Sequence, residues 1–144
     1  MGRSRRAVVV VLAWPLVAGA VSCGGDGNSP SDATKACAAV TAEPAARPPA
    51  DLPVPADATF YQRSAVGKTS LYFAYVPGDQ VRERRDAIVA QLQGAGYVIK
   101  RQDAEQNVEA EAEFEGKAHG ESSVQVTRRD GCGTQLRIRY RLAA

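Results

Sequence analysis

The chain has 144 residues, which is room for one domain, and its 18 basic and 16 acidic residues give a formal charge of +2. Arg3, Arg5 and Arg6 precede the apolar N-terminal run, and without them 15 basic residues stand against 16 acidic ones. Proteins that bind nucleic acid generally present a net basic surface, so this balance argues against that class.

A short basic segment and an uncharged apolar run open the chain. The run covers residues 7–21, and fifteen residues suit the apolar part of a secretory signal better than a bilayer-spanning helix, which needs about 20. It ends in the sequence AVSC at residues 20–23. This segment resembles a bacterial lipoprotein signal, with Ala20 at the position where that family usually has leucine. The resemblance implies removal of residues 1–22, lipid on Cys23, and a membrane-anchored extracytoplasmic protein.

Two other interpretations of this segment stay open. An ordinary secretory signal would be cleaved near Ser22 and would leave Cys23 free or paired with another cysteine. The sequence SRRAVV at residues 4–9 also resembles a twin-arginine signal, which exports folded proteins.

Residues 23–57 are predicted to form a tether. Residues 24–31 have no apolar side chain and favour disorder, whereas residues 43–56 hold five prolines and favour an extended, semi-rigid chain. Between them, residues 32–42 can form a short helix that begins at Asp32. Since lipid would occupy Cys23, the two other cysteines form an even pair in an exported chain. A disulfide between Cys37 and Cys132 is therefore expected.

Residues 58–144 are predicted to fold as a small α+β domain with the element order ββαββββ, one helix packed on a mostly antiparallel sheet. The expected strands cover residues 58–66, 69–76, 97–101, 108–116, 122–128 and 134–142. The expected helix covers residues 79–95, with Asp79 as its cap and an apolar face formed by Val81, Ile88, Leu92 and Ala95.

Two of these strands alternate strictly between apolar and charged residues, which is typical of strands with one exposed face. We expect the following residues to face the core: Val108, Ala110, Ala112, Phe114, Leu136, Ile138, Tyr140 and Leu142. The opposite side carries a glutamate row, Glu109, Glu111, Glu113 and Glu115, and an arginine row, Arg137, Arg139 and Arg141.

The two charged rows permit two interpretations. They can be a solvated face whose long side chains pair across Ser123 and Thr127, each exposed pair contributing about 0–1 kcal/mol. They can also form a charged docking surface. A calcium site is not expected, because alternate strand residues lie about 6.6–6.8 Å apart and two calcium ligands at most about 5 Å apart. No metal or other cofactor is predicted.

Three other features have ordinary structural interpretations. The sequence GKT at residues 67–69 is similar to the end of a phosphate-binding loop, but Gln62 stands where that motif needs glycine, so no nucleotide is expected. His119 is the sole histidine and is expected in an exposed loop, and no catalytic set is evident. The arginines at positions 82, 84 and 85 are expected on the solvated face of the helix.

The leading hypothesis is a membrane-anchored lipoprotein whose domain binds a protein or another envelope component through its charged sheet face. The alternative is a small-ligand sensor or carrier with a pocket between helix and sheet. The side chains considered for that pocket are Tyr61, Tyr72, Tyr75 and Tyr97. An enzyme is the least favoured class.

Overall fold

The computed structural model describes residues 37–144, and the predicted signal, Cys23 and residues 24–36 of the tether lie outside the described residues. A 3-10 helix at Pro44–Ala46 is followed by β1 (Thr59–Val66), β2 (Thr69–Pro77), α1 (Val81–Gly94), β3 (Val98–Glu105), β4 (Glu109–Gly116), β5 (His119–Arg129) and β6 (Cys132–Ala143). This order agrees with the predicted ββαββββ arrangement and gives an α+β fold. Neither helix in this part of the chain has the length and apolar character needed to cross a bilayer.

The strands form one antiparallel sheet in the order β1-β2-β6-β5-β4-β3. Strand β2 pairs with β6 rather than with its successor in the chain, and α1 carries the chain from β2 to the far edge of the sheet. Strands β3 to β6 then return side by side. As a result β6 and β5 lie at the centre of the sheet, and β5 separates the two alternating strands β4 and β6.

Helix α1 packs over β3, β4 and β5, on what we term the covered face. The predicted core positions of the helix and the central strands are confirmed, with two exceptions. Fully buried here are Val81, Ile88, Leu92, Ala110, Ala112, Phe114, Val124, Val126, Leu136, Ile138 and Tyr140. Val108 is 59% exposed because it precedes β4, in the turn that follows β3. Ala95 is only half-buried, because α1 ends at Gly94 and Ala95 is its C-cap.

Arg85 is the main correction to the predicted helix. We expected it on the solvated face, but it is 4% exposed and points at the sheet. Its guanidinium donates to the carbonyl oxygens of Asp103 and Glu111 at 2.9 and 2.8 Å, and to the Asp86 carboxylate at 2.7 Å. These bonds satisfy the buried charge, so Arg85 ties α1 to β3 and β4.

The start of α1 also differs from the prediction. Asp79 does not cap it; the N-cap residue is Gln80, without a side-chain cap bond. Instead, the Val81 amide donates to Asn107 Oδ1 at 2.8 Å, from the turn between β3 and β4. A side chain 26 residues away thus satisfies an amide that the first turn leaves unpaired.

Residues 37–57 are more closely integrated with the domain than the tether prediction implied. Residues 37–42 have no regular secondary structure, so the expected helix is absent there. The Glu43 amide donates to the Phe60 carbonyl at 2.8 Å, and Ala46 and Leu52 are buried in the core. Part of the proline-rich segment therefore covers the sheet instead of extending from it.

The expected disulfide joins this segment to the last hairpin. The Cα atoms of Cys37 and Cys132 lie 5.1 Å apart, within the usual range for a disulfide. The bond closes a separation of 95 residues and fixes residue 37 at the start of β6.

Candidate functional site

The sheet face opposite α1, which we term the open face, carries both charged rows in a fixed register. Arg139 on β6 lies opposite Gln125 on β5, and Gln125 lies opposite Glu111 on β4. The flanking sets repeat this order: Arg137, Thr127 and Glu109 on one side, Arg141, Ser123 and Glu113 on the other. A strand of uncharged residues therefore separates three arginines from three glutamates.

The two rows are not paired with each other. They are two strand spacings apart, about 10 Å. Among residues 37–144, no ion pair joins the glutamate row to the arginine row, so the expected pairing across Ser123 and Thr127 is not found. Glu115 differs from the rest of its row because its carboxylate lies 2.8 Å from Lys100 Nζ. The other members are half-buried and form no ion pair among the described residues.

Beside the glutamate row, the edge strand β3 adds further charge. Asp103 pairs with Glu111 in the register, and Arg101 pairs with Glu113. These four residues line a cavity of about 70 Å³. It has room for water but is far smaller than a drug-sized ligand site of about 300–1,000 Å³. Within the described residues, no three acidic, histidine or cysteine side chains are placed to hold a metal ion.

Beside the arginine row, the open face carries an aromatic cluster formed by Tyr61, Phe73 and Tyr75. This placement was not among the predictions from the sequence. The rings of Tyr61 and Tyr75 stack at 4.7 Å, and Phe73 lies 6.4 Å from Tyr61. The Arg129 guanidinium lies over Tyr75, 4.3 Å from the ring centre. All three aromatic side chains are half-buried. The cluster therefore extends the open face with apolar surface.

The sequence contained a signal for this cluster. In residues 71–76 both alternating sets are mainly apolar, whereas β4 and β6 are charged on one side. A continuous apolar run is typical of a strand that contacts other groups on both faces. A β-bulge between Phe60 and Gln62 then places Tyr61 against Tyr75, and the sequence does not reveal this bulge.

The packing of the cluster also affects ionisation. Burial, together with the neighbouring Tyr75 phenol, raises the pKa of Tyr61 to about 12, while Arg137 and Arg129 oppose the shift. The open face thus keeps a neutral, partly desolvated phenol next to fully charged guanidinium groups.

The four tyrosines considered for a helix–sheet pocket do not share one site. Tyr72 and Tyr97 are 4% and 3% exposed and belong to the core. Tyr61 and Tyr75 lie on the open face, on the other side of the sheet. These residues therefore do not line a common pocket.

His119 and the turn at Gly67 lie away from the charged rows. His119 begins β5 instead of an exposed loop, and its side chain is 11% exposed. Its ring stacks on Tyr97 at 6.3 Å, and its Nε2 lies 3.5 Å from the Asp51 carboxylate. Gly67 and Lys68 form the β1–β2 hairpin turn, as predicted, with Gly67 at φ +59°. His119 therefore lies against the segment that contains Asp51, with no hydrogen-bond partner for its Nε2 among the described residues.

The comparisons with known proteins add no identification. No protein-family model, no curated protein and no solved structure matches this chain. Its function must therefore be inferred from the geometry of the open face.

Proposed function

We propose that this protein is a membrane-anchored extracytoplasmic lipoprotein whose domain binds a protein partner through the open face. The observation that carries the proposal is that, apart from Glu115, the two charged rows form no ion pair among the described residues. A sheet face needed for folding alone would gain from pairing its charges, whereas these half-buried to exposed side chains stand in register without an ion partner. They leave charged groups available to a partner.

The aromatic cluster supports a protein partner. Tyrosine and arginine are enriched among the residues that contribute most to protein–protein binding. Tyr75 with Arg129 over its ring supplies both types in one contact of 4.3 Å, next to the arginine row. The stacking of Tyr61 on Tyr75 covers ring faces that a sugar would need for stacking, which favours a protein over a glycan.

The disulfide supports the proposed location. Disulfides persist in exported proteins and are rare in the reducing cytosol. The Cys37–Cys132 pair agrees with an exported chain, and the lipoprotein-like signal accounts for both export and the third cysteine of the sequence, Cys23.

The binding part of the proposal is tested by site-specific photo-crosslinking in the intact envelope. A photo-reactive residue is placed at Glu111 or Arg139 on the open face, and at Ala90 on the exposed side of α1 as the matched control. We expect a defined adduct from the two sheet positions and none from Ala90. Equal labelling from all three positions, or none, would contradict a binding role for this face.

The anchoring part is tested separately. Cys23→Ser should abolish incorporation of a fatty-acid label, because it removes the thiol that would carry the lipid. Ser22→Ala is the matched control and should keep the label. Incorporation of the label into Cys23→Ser, or its absence from the native chain, would refute lipid on Cys23 without affecting the binding proposal.

A further inference from the structure

We infer that the open face fits a second copy of this chain, in a two-fold dimer whose axis runs along β5. This inference rests on the proposed function and names its partner. It follows from the positions of the two rows, which lie at equal distances on opposite sides of β5 and carry opposite charge.

The pairing of arginines with glutamates follows from the symmetry of such a dimer. A two-fold axis parallel to β5, in the plane between two facing sheets, exchanges the two sides of the sheet and keeps each position along the strand. Arg139 of one copy then lies over Glu111 of the other, and Glu111 lies over Arg139 by the same operation. Arg137 shares a register position with Glu109, and Arg141 shares one with Glu113. The same operation therefore gives two more kinds of pair between the copies, and each kind forms twice. Any face-to-face axis perpendicular to the strands would instead place like charges together.

The side chains suit the gap between two sheets. Facing sheets pack about 10 Å apart, a distance that an arginine and a glutamate reaching from opposite sides can bridge. Gln125 lies on the axis and would meet its own copy, and an amide can both donate to and accept from its equivalent. Aligned sheets usually cross at about −30°, which a small rotation of the axis provides. The arginine side still lies over the glutamate side after that rotation.

The overlapping area can be compared with that of known interfaces. The axis along β5 places β6 over β4 and β2 over β3, so five strands overlap and β1 has no strand opposite it. Five strands about 4.8 Å apart span roughly 19 Å, and eight residues of strand span roughly 26 Å, which gives a flat area of roughly 500 Å². Side-chain relief increases the accessible area above this value. A standard interface buries about 800 Å² per partner. Because the contact is isologous, it closes as a dimer and leaves no open surface for filaments.

The test uses the full chain in its own envelope. Gln125→Cys places one thiol per chain at the proposed axis. Sheets about 10 Å apart hold these thiols beyond the reach of a disulfide, so a short bis-maleimide reagent is added. We expect a covalent species of twice the chain mass. Gln91→Cys, on the exposed side of α1, is the matched control and should give none.

Charge reversals then test the pairing itself. In the Gln125→Cys background, Arg139→Glu or Glu111→Arg alone places like charges opposite each other twice, and the crosslinked dimer should fall at least about tenfold. Co-expression of the two reversed chains restores both opposite-charge contacts, and a mixed dimer should reappear. Differently tagged chains identify the mixed species.

The outcomes separate this inference from the broader proposal. A dimer that survives both single reversals, or mixed chains that fail to associate, would overturn the dimer along β5. A second outcome is an adduct at Glu111 whose mass is not twice that of the chain, with no dimer from Gln125→Cys. This result would overturn the inference that the partner is a second copy, and it would support the broader proposal that the open face binds a protein. No adduct by either method would contradict both.

Discussion

The two faces of one sheet have opposite roles, and β6 shows the difference most directly. Ile138 is fully buried under the covered face, while its neighbour Arg139 is partly exposed in the arginine row. The covered face has apolar side chains and one buried arginine that donates three hydrogen bonds. The open face has charged rows that form no ion pair with each other and half-buried rings. One alternating set of residues builds the core, so the other set is free to vary in charge without disturbing the packing.

The largest predicted effect concerns the segment that helps to close the covered face. Replacing both cysteines, Cys37→Ser with Cys132→Ser, should lower the free energy of unfolding by about 4–5 kcal/mol, because the bond closes 95 residues. Denaturant unfolding measures this change, and the native chain with its disulfide reduced is the control. A loss below about 1 kcal/mol would mean that Leu52 and its neighbours hold the segment in place without the bond.

A smaller effect on stability is expected when adjacent residues of β6, one on each face of the sheet, are replaced by alanine. Ile138→Ala should cost about 2–5 kcal/mol, because it removes a fully buried side chain and leaves a cavity. Arg139→Ala should change stability by no more than about 0.5 kcal/mol, as is usual for surface positions. Thermal and denaturant unfolding of the two variants provide the measurement. Similar costs at both positions would show that the open face contributes to folding.

The sequence accounts for this division of faces but not for the pairing of the strands. Strict alternation in residues 108–116 and 134–142 is local, so it predicts both strands and the side each residue faces. The pairing of β2 with β6 depends on contacts between distant residues, which local pattern does not encode. Strand β3 continues to Glu105, beyond the predicted end, because its backbone pairs with β4 although its side chains are mostly exposed.

The roles of several other residues also depend on contacts with residues that are distant in sequence. Arg85 follows the charged pattern of a solvated helix face, and only carbonyl oxygens on β3 and β4 explain its burial. Asn107 acts as the cap that Asp79 was expected to be, from a turn that is remote in sequence. The aromatic cluster requires a bulge in β1. In each case a non-local partner overrides the local preference.

A still smaller effect concerns the glutamate row. The triple variant Glu109→Gln, Glu111→Gln, Glu113→Gln should leave the free energy of unfolding within about 1 kcal/mol of the native value, because these half-buried groups form no ion pair among the described residues. The same variant should lose most of its photo-crosslinked adduct. The control is Asp79→Asn, Glu83→Gln, Asp130→Asn, which removes three exposed charges away from the rows. A stability loss of several kcal/mol would make the glutamate row structural.

The smallest effect is a pH dependence at the aromatic cluster. The pKa of Tyr61 is raised to about 12 in the folded chain, above the usual 10, so the fold favours the neutral phenol. Its contribution to stability is therefore complete below pH 10 and is lost as the pH rises through 12. Burial raises the pKa of Tyr140 and Tyr97 as well, so Tyr61→Phe should reduce, not abolish, the fall in melting temperature over this range. If the melting temperature of Tyr61→Phe falls with pH as steeply as that of the native chain, the Tyr61 phenol is in solvent.

Carbodiimide labelling of carboxylates, read by mass spectrometry, tests the central claim that the open face is a binding surface. The labelling of Glu109, Glu111 and Glu113 is compared between the native envelope and dilute purified protein, with Glu83 on α1 as the internal reference. We predict that the three sheet carboxylates are protected in the envelope and labelled after dilution, while Glu83 reacts equally in both. Equal labelling of all four residues in both states would contradict the claim, whether the partner is a second copy or another protein.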